Sequence, residues 1–179
     1  MKFFGIIPAR SGSKGIKDKN IKIFDKKPLL YWTIQAAQKS KMLKEFIVTT
    51  DSKLIARIAK KYGAKVPLLR PRHLSQSNTE MKKVIKYHYN LYKSYDALVL
   101  LQPTSPLRNH IDIDKACKMF ESSKANSLIS ITKVKHTSNP DQLFKLSKSP
   151  YIEYINKKKI KTLRQKKKII TAVMAQQFI

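Results

Sequence analysis

Apolar and amphipathic stretches take turns along the first 132 residues of the chain. Phe3 to Pro8 is a short apolar run that ends in a turn-rich segment, and Pro28 to Lys39 carries Leu29, Leu30, Ile34 and Ala37 at helical spacing. That predicts strand, loop, helix. Glu45 to Thr50 repeats the strand signal with Phe46, Ile47 and Val48. Asp51 or Ser52 then stands where it can cap a helix with Leu54, Ile55, Ile58 and Ala59 on one side, closed by Gly63. A proline-containing connection, Pro67 to Asn78, leads to a predicted helix from Thr79 to Tyr92. Ala97 to Leu101 is an unbroken apolar strand of the kind buried on both faces of a parallel sheet. Ile111 to Ser123 and Ser127 to Thr132 add one more helix and one more strand. This alternation predicts a doubly wound, three-layer α/β fold, its sheet mostly parallel and its ligand crevice at the C-terminal ends of the strands. From Lys133 onward the pattern decays into polar, lysine-rich sequence.

Length and composition narrow this picture. A chain of 179 residues with 42% hydrophobic content builds one core with a small appendage. No stretch approaches the roughly 20 apolar residues that cross a bilayer, and the run before Pro8 is too short for a signal-peptide core, so a cytoplasmic protein without membrane partners is expected. The formal charge of +27 raises nucleic-acid binding as a function class. Only six of the 38 basic residues are arginine, however, and a lysine excess of this kind is what an A-rich genome yields at solvated positions. The densest clusters, Lys157 to Lys159 with Lys161 and then Lys166 to Lys168, lack interleaved aromatics that could stack bases. A basic nucleic-acid-binding protein is therefore the alternative and not the first reading. The single cysteine, Cys117, shares a helical face with Ile113 and Phe120 and has no companion base, which marks a buried small side chain.

The segment after the first strand carries the most chemistry: Pro8-Ala9-Arg10-Ser11-Gly12-Ser13-Lys14-Gly15-Ile16-Lys17-Asp18-Lys19-Asn20. Gly12 and Gly15 let the backbone turn its N–H groups inward, Ser13 adds a hydroxyl, and Arg10, Lys14 and Lys19 add charge. Such a loop suits a triphosphate, yet its glycine spacing fits neither a Walker A loop nor the dinucleotide fingerprint. On chemistry alone an ordinary polar loop remains open.

A resemblance decides between them. The loop from Ala9 to Asn20, the Lys27-Pro28-Leu29 helix start, Val48-Thr49-Thr50-Asp51, Leu69-Arg70-Pro71 and Leu100-Leu101-Gln102-Pro103-Thr104-Ser105-Pro106-Leu107-Arg108 together resemble the ordered motif series of the acylneuraminate cytidylyltransferases. The likeness covers residues 3 to 135 and thins to Arg164-Gln165. It implies a Rossmann-like nucleotidyltransferase fold. The implied substrates are CTP and a nine-carbon keto-sugar acid of the N-acetylneuraminate or legionaminate type, with pseudaminate or 3-deoxy-manno-octulosonate as sibling substrates. In the implied reaction the sugar's anomeric hydroxyl attacks the α-phosphorus with Mg²⁺ assistance and pyrophosphate leaves. By the same resemblance Arg10, Ser13, Lys14 and Lys19 hold the triphosphate, with Arg10, Lys14 and Lys19 catalytic. Asn20 reads the cytosine or its ribose, Arg70 lies on the base side, Gln102 faces the crevice, and Thr104 and Ser105 form the sugar-side wall. Arg108 either pairs with the sugar carboxylate or holds the turn. His88 is read as a packing histidine, Asp51 as a helix cap, and Asp112 and Asp114 as carboxylates at a helix start. The family's acidic metal pair belongs to a longer chain and has no match here, so no metal ligands are assigned. A homodimer is implied for the full-length form.

Residues Ile169 to Ile179 look unlike the family. Shifted by one nucleotide, their codons permit a family-like strand, and Lys166 to Lys168 can be encoded as a run of adenines where a base is readily gained or lost. The expected organisation is thus a nucleotidyltransferase core over residues 1–135, a basic remnant of the sugar-side and dimerisation region over 136–168, and an out-of-frame tail over 169–179. Lost or impaired activity in this chain follows from that reading.

Overall fold

The computed structural model describes residues 1–13, 15–123, 125–133, 144–146, 152–154, 171–172 and 177–178. Lys14 and most of the predicted basic remnant and out-of-frame tail lie outside them. Two units divide the chain, residues 1–128 with 176–179 and residues 129–175.

In the first unit, strand β1 (Phe3–Pro8) forms along the span its apolar run predicts. A two-residue hairpin, β2 (Ile23–Phe24) and β3 (Lys27–Pro28), leads into helix α1 (Leu29–Lys39). Strand β4 (Leu43–Thr49) and helix α2 (Lys53–Lys61) follow, then helices α3 (Met81–Tyr87) and α4 (Tyr89–Tyr92), strand β5 (Ala97–Leu100) and helix α5 (His110–Ser122). β1 pairs in parallel with β4 on one side and β5 on the other. Two short strands, β6 (Leu128–Ile129) and Gln177–Phe178, complete the sheet, the latter antiparallel to β5 through Phe178 and Val99.

Period-2 alternation puts the side chains of each central strand on both faces of the sheet. Phe3 and Ile7 of β1 join Leu30, Ile34, Ile55 and Ile113 in one core, while Phe4 and Ile6 join Ile47, Ile85 and Leu100 in another. Helix layers on either side of the sheet account for both. Full burial of each of these large side chains contributes roughly 1.5–3 kcal/mol relative to exposure, so β1 is the best-anchored element. Its C-terminal end is where the loop from Ala9 begins.

Several elements depart from expectation. The predicted strand Ser127 to Thr132 is broken into β6 and Thr132–Lys133: Leu128 packs against the core, while Ile129 and Ile131 stay exposed. The predicted helix from Thr79 to Tyr92 starts at Met81 and is interrupted at His88, whose side chain turns inward. Leu54 lies on the exposed side of α2, and Ser52, not Asp51, caps that helix by accepting from the Ile55 N–H at 3.3 Å. Asn109 and Asp112 form a reciprocal capping box on α5. Asp114 instead accepts from Ser40 Oγ at 2.5 Å and from the Lys41 and Met42 amides, pinning the turn before β4. Cys117 is buried as expected, and desolvation pushes its thiol up to about 12. No helix among the described residues is long and apolar enough to cross a membrane.

In the second unit, Thr132–Lys133 pairs antiparallel with Thr171–Ala172, and Phe144–Leu146 pairs antiparallel with Ile152–Tyr154.

Candidate functional site

The ends of β1, β4 and β5 lie side by side, and a cleft with three walls opens at them. The first wall is the loop after β1. The Ala9 N–H donates to Thr49 O at 2.9 Å, which extends the β1–β4 ladder by one bond. The next residue, Arg10, donates from Nη1 to Gly12 O at 2.9 Å and to Ser11 O at 3.2 Å. Ser11 donates its N–H to Asp51 Oδ1 at 2.8 Å and its hydroxyl to Asp51 Oδ2 at 2.5 Å. Gly12 then takes φ +60°, a left-handed conformation that disfavours side chains. At the far end of the loop Asp18 opens a single 3₁₀ turn, Lys19–Ile21. That turn buries Asn20, whose Nδ2 donates to Arg10 O at 2.9 Å and ties the loop back onto itself.

The second wall comes from the segment after α2. Arg70 is 5% exposed, and its N–H donates to Thr50 O at 2.7 Å. Its Nη2 donates to Thr49 O at 3.1 Å and its Nη1 to Leu74 O at 3.4 Å, while Nε has no partner among the described residues. Burial lowers the Arg70 pKa, Asp51 opposes that and Arg10 adds to it; a guanidinium remains charged all the same. Beneath it His88, 1% exposed, shares a 2.7 Å hydrogen bond between Nε2 and Thr49 Oγ1. Desolvation first and the Arg70 charge second press its pKa down to about 4, so His88 is a neutral packing histidine at pH 7.

The third wall is the turn after β5. The Leu101 N–H donates to Ile6 O at 2.8 Å, and Gln102 then leaves the sheet. Arg108, 8% exposed, donates from Nη1 to Gln102 O at 3.4 Å and from its backbone N–H to Ser105 O at 3.2 Å. Here it acts as the brace of the turn. Its Nε and Nη2 have no partner among the described residues, and burial lowers its pKa to about 10 against the opposing charge of Asp112.

Between the three walls lies a cleft of about 460 Å³ lined by Arg10, Ser13, Lys19, Asn20, Arg70, Gln102 and Thr104, and also by Ser77 and Met81. That volume suits a nucleotide-sized ligand, and three cations lining it suit an anionic one. Ser105 and Arg108 do not line the cleft, and Lys14 lies outside the described residues. Ser77 and Met81 carried no motif that sequence alone could flag. Among the described residues no three His, Cys, Asp or Glu side chains gather where they could hold a cation, and both oxygens of Asp51 are engaged by Ser11.

Comparison with known proteins adds four matches. A family model described as cytidylyltransferase matches residues 4–177. The chain is 41% identical over 145 residues to the N-acylneuraminate cytidylyltransferase of Escherichia coli O18:K1:H7, covering 80% of this chain and 34% of that protein. It is 36% identical over 138 residues to the CMP-N,N'-diacetyllegionaminic acid synthase of Legionella pneumophila, covering 75% of this chain and 59% of that one. The chain thus spans about a third to three fifths of the length of these relatives. Its fold matches the solved structure of a CMP:2-keto-3-deoxy-manno-octonic acid synthetase complexed with CTP, with a TM-score of 0.70 at 14% identity, over 100% of this chain and 72% of that one.

Proposed function

Because the chain belongs to the cytidylyltransferase family, we propose that the cleft is a CTP site and that the protein transfers CMP to a nonulosonic acid of the N-acetylneuraminate or legionaminate type. The observation that carries this is the convergence of Arg10, Ser13, Lys19, Asn20, Arg70 and Gln102 on one cleft at the strand ends. In the reaction the sugar's anomeric oxygen forms a bond to the α-phosphorus while the bond from that phosphorus to the bridging oxygen breaks. Pyrophosphate departs with the electron pair, and the hydroxyl proton is lost to solvent. Phosphoryl transfer of this kind depends on positioning and on neutralising charge that develops on phosphate oxygens. Arg10, Lys19 and, by its place in the loop, Lys14 supply that neutralisation. Asn20 and Arg70 hold the nucleoside end, and Gln102 and Thr104 form the side toward the sugar. Arg108 keeps that turn in shape. A homodimer of the full-length protein belongs to the same proposal.

Calorimetric titration of the chain with CTP, ATP and duplex DNA at physiological salt tests the reading, followed by pyrophosphate release with each candidate sugar acid. Saturable binding of CTP in preference to ATP is expected. Residues 169–179, read as out of frame, add the expectation of slow release. Sub-micromolar DNA binding with no CTP signal would reverse the order of the two function classes.

A further inference from the structure

Asp51 stands half-buried just past the end of β4, and the cap of α2 that follows is supplied by Ser52. Its carboxylate is spent elsewhere. Both oxygens reach to one residue forty positions earlier, Oδ1 accepting the Ser11 N–H and Oδ2 the Ser11 hydroxyl. Arg10 holds the same segment from its other side through the carbonyls of Ser11 and Gly12. Ser11 is therefore fixed by its amide, its hydroxyl and its carbonyl together.

This changes what the loop presents to the cleft. The carbonyl oxygens of Ser11 and Gly12, which would repel a phosphate, face the Arg10 guanidinium. The Ser11 N–H is consumed by Asp51, and Gly12 at φ +60° then reverses the chain. Among the described residues no hydrogen bond holds the N–H groups of Gly12, Ser13 and Gly15. They are the donors left for an anion, in the manner of a backbone nest. A carboxylate beside a phosphate cradle would oppose binding if its oxygens faced the ligand; here both are turned to the loop.

Resting on the CTP reading above, we propose that Asp51 is a positioning residue that sets the phosphate-side loop by holding Ser11, so that the later amides of the loop face the triphosphate. It touches neither substrate nor reacting atoms. Its effect on the reaction passes through the loop.

The test uses the full 179-residue chain and the variants Asp51→Ala and Asp51→Asn, with two measurements: amide exchange at Ser11 by NMR without nucleotide, and the CTP dissociation constant. A hydrogen bond to a charged group that is lost at a fixed site corresponds to about a tenfold effect or more. Asp51→Ala is expected to speed Ser11 exchange and to weaken CTP binding by at least about that factor, with the Ile6 and Leu100 amides as protected as before. Asn retains an acceptor for the Ser11 N–H and offers an N–H to its hydroxyl, so Asp51→Asn is expected to stay within about threefold of the parent in both. Unchanged Ser11 exchange in Asp51→Ala overturns the proposal. So does an Asp51→Asn variant as damaged as Asp51→Ala, because the charge would then act directly. If the parent chain binds no CTP, the function reading fails, and the exchange measurement alone decides whether Asp51 holds the loop.

Discussion

The buried His88 makes the first unit acid-sensitive in a window that can be worked out. Its pKa falls from 6.5 to about 4 on folding because desolvation and the neighbouring Arg70 both disfavour the imidazolium. The unfolded chain therefore takes up this proton first as pH drops. Stability is fully present above 6.5 and is lost as pH falls toward 4. Weighing the bound protons of the two states gives a loss of roughly 2 kcal/mol between pH 7 and pH 5 from this one residue. Glu45, held below 4.5 by hydrogen bonds from Lys65 and Tyr95, loses its contribution only below that window. The assay is urea unfolding followed by fluorescence of Trp32, the chain's single tryptophan. With an m-value of about 2 kcal/mol per molar urea, the midpoint should drop by roughly 1 M between pH 7 and pH 5. His88→Gln is expected to lower the midpoint at pH 7 by a fixed amount and to flatten its pH dependence across the window. If the two proteins give parallel midpoint curves from pH 7 to pH 5, His88 is not the group responsible and the reasoning fails.

Three further outcomes are expected. Gly5→Ala would put a Cβ 2.8 Å from the Phe46 Cβ on the neighbouring strand, a contact that no rotamer change relieves. Overpacking of roughly 1–3 kcal/mol should lower the thermal midpoint by about 5 °C, and an unchanged melt would refute the packing. Arg10→Ala and Lys19→Ala should each weaken CTP binding here. At the matching positions of a full-length N-acylneuraminate cytidylyltransferase they should cut turnover by about 100- to 1000-fold, and losses under about threefold at saturating CTP would remove both from the catalytic set. Cys117, with its thiol pushed to about 12, should react with a disulfide reagent at pH 8 only after denaturation; stoichiometric labelling of the native protein within a minute would contradict its burial.

What the sequence disclosed follows the reach of the forces involved. Phe3 to Pro8, Leu29 to Lys39 and Ala97 to Leu100 are legible because period and apolarity are local, and the structure forms them within a residue of the expected ends. The break at His88 depends on Thr49, thirty-nine residues away, and no window over Thr79 to Tyr92 contains that information. Ser127 to Thr132 shows the reverse failure, an apolar stretch with strand composition in which Ile131 stays exposed. In the site, motif resemblance picked out Arg10, Ser13, Lys19, Asn20, Arg70, Gln102 and Thr104, which the fold gathers in one cleft. Ser105 and Arg108 share a motif with Gln102 but fall outside that lining, since the turn directs its side chains differently at successive residues. Capping is a local rule and points Asp51 to a helix cap, whereas its partner Ser11 is distant in sequence.

The carbonyl of Thr49 accepts both the Ala9 N–H and the Arg70 guanidinium, and its hydroxyl meets His88. For protein engineering this sets the smallest piece that can be transplanted. Residues 9–20 grafted alone onto another parallel sheet would carry the lysines and glycines without the struts that aim them. A working graft has to move three separated segments together: the loop, the 49–51 strand end and Arg70. A recipient sheet qualifies only if its neighbouring strand can end in the same three residues.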